Sequence, residues 1–141
     1  SFADYLDRLS TNLVNTYSTP GCKVNYKPIL DEVNLPLDQA IPCGLIVNEI
    51  VSNVLKYAFV GRKEGDFILR VKEVGTRVEI EVADNGVGLP SNFEEKKNDS
   101  LGIYLIYALI EQLGGEIIIE STKQGREGSS FLIRFDKPNQ T

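Results

Sequence analysis

Apolar residues recur along this chain with helical, alternating and continuous rhythms, and each rhythm predicts an element. From Ser1 to Tyr17, Phe2, Leu6, Leu9 and Leu13 fall three or four apart, the spacing of one helix face, and Thr19-Pro20-Gly21 closes that helix as a turn. Lys23 to Ile29 alternates, with Val24 and Tyr26 inward, and reads as a strand followed by a short extended piece at Val33 to Leu35. A central helix from Ile41 to Val60 would gather Ile46, Val47, Ile50, Val51, Val54 and Ala58 on one broad face. Asp38 is its expected N-cap, and Pro42 must lie near the first turn or mark a kink. Asp66 to Val74 and Arg77 to Ala83 read as a hairpin about Gly75-Thr76. Ser91 to Ser100 is polar without periodicity, a loop long enough to move as a lid. Leu101 to Leu113 is apolar nearly all round and predicts a buried helix closed by Gly114-Gly115. Gly115 to Ser121 and Ser129 to Phe135 predict strands around the turn from Lys123 to Gly128, and the tail from Lys137 is expected to fray.

Two places in this pattern carry chemistry. On the polar side of the central helix Glu49, Asn53 and Lys56 lie at i, i+4 and i+7, so a carboxylate, an amide and an ammonium share a stripe with Tyr57 at its edge. Such a stripe is either a solvated helix face or a ligand-facing one. In the second hairpin strand Val78, Ile80 and Val82 share one face, and parity puts Asp84 on it. A carboxylate aimed at a covered face needs a partner there. It opens the run Asp84-Asn85-Gly86-Val87-Gly88-Leu89-Pro90, whose glycines either allow a close approach to a ligand or simply turn the chain. Gly102, at the start of the helix after the lid, is either a hinge or a place where free N–H groups meet an anion.

Composition narrows the setting. With 141 residues, 42% hydrophobic and 25% charged, the chain is long enough for one domain with its own core. A net charge of −5 without a basic cluster argues against a nucleic-acid partner. No apolar run is long enough to span a bilayer, so no membrane contact by this domain is expected. Cys22 and Cys43 lack C-x-x-C spacing and read as reduced apolar residues. The absence of methionine marks the chain as a piece of a longer polypeptide or one lacking its initiator, and the absence of histidine removes every mechanism that needs an imidazole from this chain. The elements together predict an α/β two-layer sandwich of the α+β kind, a mixed sheet covered on one face by about three helices.

In that sandwich the central helix and the strand ending at Asp84 both line the gap between the layers. Asp84 would accept a hydrogen bond from an exocyclic amine, which selects adenine over guanine. The amide oxygen of Asn53 suits Mg²⁺, and Lys56 offers a point charge to phosphate.

At these residues the chain resembles a known family. Glu49-x-x-x-Asn53-x-x-Lys56-Tyr57, Asp84-x-Gly86-x-Gly88 and Ser100-Leu101-Gly102-Ile103 are similar to the N, G1 and G2 boxes of the ATPase superfamily shared by histidine kinases, gyrase, Hsp90 and MutL. Leu37-Asp38-Gln39-Ala40-Ile41-Pro42 and Glu111-Gln112-Leu113-Gly114-Gly115 resemble the catalytic domains of two-component sensor histidine kinases more narrowly. The resemblance implies a Bergerat-type ATP-binding fold with ATP and Mg²⁺ as cofactors. It implies that Asp84 binds the adenine amino group, Asn53 holds Mg²⁺, Lys56 contacts phosphate and Tyr57 flanks the base. Glu49 stands where the superfamily has a general base or a ligand to Mg²⁺-bound water. Gly86, Gly88, Leu101 and Gly102 would line the nucleotide, and Ser129, in Gly128-Ser129-Ser130-Phe131, resembles the last small box with serine where threonine is frequent.

A histidine kinase phosphorylates an imidazole, so the resemblance also implies an acceptor histidine outside this chain, on a dimerisation hairpin just upstream of Ser1. It further implies a sensor region, a response regulator downstream, a homodimeric parent of which this piece is a monomer, and a cytoplasmic location. Two alternatives stay open: a stand-alone serine kinase of the anti-sigma-factor type, which needs no histidine of its own, and a catalytically silent nucleotide-binding module.

Overall fold

The structure, a computed structural model, describes residues 1–89, 101–121 and 128–138. Helix α1 spans Phe2–Thr16, strand β1 Lys23–Leu30 and helix α2 Leu37–Asn53, which runs on into one wider π-helical turn, Val54–Ala58. Strands β2 (Glu64–Val74) and β3 (Arg77–Asp84) form the hairpin expected about Gly75-Thr76. Helix α3 spans Leu101–Leu113, and strands β4 (Glu116–Ser121) and β5 (Ser129–Asp136) complete the order. The five strands lie as β1-β2-β3-β5-β4, with β1 parallel to β2 and the other neighbours antiparallel. This is the expected mixed sheet with three helices on one face.

Strand alternation explains where the core sits. Leu69, Val82 and Phe131 are cross-strand partners in β2, β3 and β5, and Val71, Ile80 and Ile133 form the next row. All six are buried and meet the apolar faces of the helices. Helix α2 packs between α1 and α3 over the middle of the sheet, and its residues Ile46, Val47, Ile50, Val51, Val54 and Ala58 are buried as the helical period requires. At the edge, the Tyr26 hydroxyl donates to Asp7 Oδ1 at 2.8 Å and its ring stacks on Phe67. Burial holds that phenol well above its ordinary range.

Several expectations are corrected. Val33 to Leu35 form no strand; Val33 is buried, and its carbonyl accepts from the Phe2 N–H at the start of α1. Helix α2 starts at Leu37 behind Pro36 with no side-chain cap, and Asp38 lies inside the first turn. A carboxylate is favoured at either place, by the free N–H groups or by the helix dipole, so sequence alone does not separate them. The α-helical geometry of the central helix ends at Asn53 and not at the expected Val60, because the chain goes on as the wider turn Val54–Ala58. Helix α3 is not buried all round. Only Ile106, Leu109 and Ile110 are buried, while Leu101 is 83% and Tyr104 59% exposed, because α3 is an outer helix resting on α2 and β4. Gly114-Gly115 closes it as expected, the Gly115 N–H reaching Ile110 O and the Gly114 N–H reaching Glu111 O. Lys137 is held rather than frayed: its N–H donates to Thr76 O at 2.7 Å and its ammonium pairs with Glu73. Among the described residues no helix is long and apolar enough to cross a membrane.

Candidate functional site

The apolar rows of the covered face end in a polar one. Register places Phe67, Asp84 and Ser129 side by side, so parity carries the Asp84 carboxylate to the inner face at the end of β3, as the sequence requires. Its Oδ2 accepts from Ser129 Oγ at 2.6 Å and its Oδ1 from the Gly86 N–H at 2.8 Å. Ser129 is only 7% exposed. A carboxylate has about four lone-pair positions, so two protein donors leave capacity for a ligand's N–H. The 2.6 Å contact is in the range of a charge-assisted bond, which orients the carboxylate.

The loop after Asp84 is stitched to the end of the central helix. The Val87 N–H donates to Ala58 O at 2.8 Å, and a side chain at position 86 would run into that carbonyl, which is why glycine is needed there. Gly88 has φ +82°, a conformation open to glycine at little cost. The Leu89 N–H then donates to Ser121 Oγ at 2.7 Å, tying the loop to the end of β4. The two motifs of the sequence therefore meet: the last carbonyl of the π turn is capped by the loop that carries Asp84.

Along the helix the stripe does not stay whole. Glu49 and Asn53, four apart in α2, share one side and are half-buried. Lys56 and Tyr57 lie in the π turn, where bonds closing at i+5 give each residue less rotation than the ~100° of an α-helix. Lys56 is thereby displaced from the line through Glu49 and Asn53. Its Nζ stands 5.0 Å from the centre of the Tyr17 ring, and the two residues line a groove of about 390 Å³ together with Leu55, Phe59 and Arg62 among others. Tyr57 is 65% exposed.

Leu101 and Gly102 open α3 directly after the 90–100 segment, Leu101 exposed and Gly102 half-buried. Ser91 to Ser100, expected as a lid and holding the first residue of the third motif, lie outside the described residues, as do Pro90 and most of the turn from Lys123. Among the described residues no cluster of three or more histidine, cysteine or acidic side chains stands ready for a metal. Sequence reasoning missed Asn85, Asp66 and Ser121, which hold the loop in place. The signal available was the Asp-Asn-Gly run itself, since asparagine bonds readily to nearby backbone.

Comparison with known proteins agrees with this fold. The family model described as histidine kinase-, DNA gyrase B- and HSP90-like ATPase matches residues 38–139. Blue-light-activated histidine kinase 2 of Erythrobacter litoralis is 28% identical over 135 residues, covering 95% of this chain and 37% of that protein. Sensor histidine kinase PdtaS of Mycobacterium tuberculosis is 28% identical over 102 residues, 71% of this chain and 20% of that protein. The solved histidine kinase domain of the Erythrobacter litoralis EL346 blue-light-activated kinase has a TM-score of 0.84 at 26% identity, over 96% of this chain and 61% of that one. The chain thus spans well under half the length of these curated relatives. With the fold, the Asp84 row and the capped helix in place, the matched span makes this chain a member of the histidine kinase-, DNA gyrase B- and HSP90-like ATPase family.

Proposed function

We propose that this chain is a single ATP-binding catalytic domain that binds Mg·ATP and presents its γ-phosphoryl group to a histidine on a dimerisation segment outside the chain, in two-component signalling. The observation that carries this reading is the Asp84 row, a carboxylate with spare lone pairs at the end of the covered face, oriented by Ser129 and joined through its loop to the helix bearing Glu49 and Asn53. Asp84 accepts from the adenine amino group, Ser129 holds the carboxylate, and Gly86 and Gly88 let the backbone come close to the base beside Tyr57. Asn53 and Glu49 offer hard oxygen donors of the kind Mg²⁺ prefers, too few to hold it without phosphate oxygens and water. Mg²⁺ supplies charge neutralisation across the phosphates. Lys56 leaves Tyr17 to reach phosphate, Leu101 and Gly102 border the nucleotide at the start of α3, and Glu49 positions the water or the acceptor proton. The acceptor histidine comes from the dimerisation segment of a homodimeric parent, and a response regulator takes the phosphoryl group onward. That sensor kinases are among the relatives favours this over a serine kinase.

The test pairs titration with transfer. Calorimetry of ATP against GTP, with and without Mg²⁺, should give ATP binding that Mg²⁺ tightens and much weaker GTP binding. Adding γ-labelled ATP and a histidine-bearing dimerisation segment should place acid-labile label on the segment. Equal affinity for GTP refutes the base assignment; tight ATP binding with no transfer makes the domain a binding module instead.

A further inference from the structure

The strand that carries Asp84 ends on a side-chain bond. Since Phe67 pairs with Asp84, the next antiparallel pair is Asp66 with Asn85. Half of that pair is ordinary, the Asn85 N–H donating to Asp66 O at 3.1 Å. The return bond is not: the Asp66 N–H donates to Asn85 Oδ1 at 2.8 Å, so the side-chain carbonyl takes the place of the main-chain one. The main-chain carbonyl of Asn85 is turned instead toward Arg62 Nη1, 3.4 Å away. Asn85 Nδ2 donates to Asp66 Oδ2 at 3.2 Å, and Asp66 Oδ1 accepts from Asn25 Nδ2 at 2.7 Å, which also reaches Glu64 Oε1 at 2.8 Å. The ends of β1, β2 and β3 are therefore gathered on one amide and one carboxylate.

Ending the ladder this way sets the path of the loop beyond Asn85. With the Asp66 N–H satisfied by a side chain, the backbone is free to leave the strand at that residue. Gly86 then turns its N–H back to Asp84 Oδ1 and lies against Ala58. Were the Asn85 main chain to take that bond, the strand would run one residue longer and the Gly86 N–H would swing away from the carboxylate.

We propose that Asp66 and Asn85 are a positioning pair that sets the direction of the Asp84 carboxylate and with it the preference for adenine over guanine. The proposal rests on the assignment of Asp84 to the base. The pair is suited to a swap. In Asp66→Asn the one side-chain oxygen can face either Asn25 Nδ2 or Asn85 Nδ2, and the NH₂ group meets the other donor. In Asn85→Asp two carboxylates face each other where a bond had been. The double variant D66N/N85D restores every one of these bonds with the roles exchanged and leaves net charge unchanged.

Calorimetry with ATP and with GTP, and thermal unfolding, on the wild-type chain, both single variants, the double variant and Asp84→Asn would test this. Each single variant should lose roughly three- to tenfold in ATP affinity, the scale of one exposed hydrogen bond, with GTP binding unchanged, and the double variant should recover both the affinity and the ATP-to-GTP ratio. Single variants that bind ATP as the wild type does overturn the proposal. So does equal loss for ATP and GTP, or a double variant no better than the singles; a lowered Tm with intact ATP preference reduces the pair to a structural role. If Asp84→Asn also binds ATP normally, the base assignment has failed; if it alone is weakened, only the positioning pair has.

Discussion

Replacing Asp84 by asparagine isolates the acceptor without dismantling its surroundings. In the wild type Oδ1 takes the Gly86 N–H and Oδ2 takes the Ser129 hydroxyl. An asparagine at this position keeps its oxygen toward Gly86, because the flipped amide would set two N–H donors against each other. Its NH₂ then faces Ser129, whose hydroxyl can turn round and accept. The fold keeps both pairings, so Tm should move by no more than about 5 °C. For a purine amino group the change is larger. If it bonds on the Gly86 side it loses a charged acceptor and keeps a neutral one; on the Ser129 side it meets a donor. Bonds to charged groups contribute about 1.5–3 kcal/mol, which spans roughly 10- to 150-fold in Kd. Calorimetric titration of both proteins with ATP reads this directly, and Ser129→Ala, which removes one orienting donor only, should lose less. An Asp84→Asn protein with unaltered Tm and a Kd within about twofold of wild type would refute the argument, since even exchanging the charged acceptor for a neutral one should cost about 1 kcal/mol, roughly fivefold in Kd.

Asn53→Ala should remove the Mg²⁺-dependent part of ATP affinity by at least roughly tenfold, the scale set by outer-shell losses at metal sites; equal Kd values in Mg²⁺ and in chelator for both proteins would count against Asn53 as a ligand. Gly86→Ala drives a methyl group into the Ala58 carbonyl and displaces the Val87 bond, and should cost about 1–3 kcal/mol, seen as a fall in Tm of about 4–10 °C; an unchanged Tm would mean the loop and helix are not in contact. Burial pushes the Cys43 thiol from an ordinary 9.0 up to about 12, so between those values the folded state keeps its proton where the unfolded chain has lost it. The stability this thiol contributes is complete below that lower value and is lost as pH rises toward the upper one. At pH 8 a maleimide should consume one thiol, the half-buried Cys22, and reach Cys43 only in denaturant; two equivalents at equal rates would contradict its burial.

The parts of this fold that were legible in the sequence are those governed by a single local period. Val78, Ile80 and Val82 fixed the inner face of β3 within one strand, and Asp84 followed from counting by two. Ser129 could be picked only by resemblance to a motif, because its place beside Asp84 depends on the pairing of β3 with β5, strands separated by a whole helix and β4. The same limit explains Asp66 and Asn85, whose bonds cross from one strand to another at the point where the ladder stops. Lys56 illustrates a different failure. Counting i, i+4 and i+7 assumes one constant helical period from Glu49 onward, and the period changes just after Asn53. The change falls at the end of the helix, where the last carbonyls lose their intrahelical donors. Phe59 O is taken by the Arg62 N–H, and Ala58 O by the Val87 N–H from the loop behind Asp84. The irregular turn therefore ends at a junction: the Ala58 carbonyl, left free at the helix end, meets the loop where Gly86 lets it press against the helix. The two motifs read separately along the chain are joined by that hydrogen bond, so a side chain at position 86 is expected to disturb the helix end beyond Asn53 and the loop beyond Asp84 together.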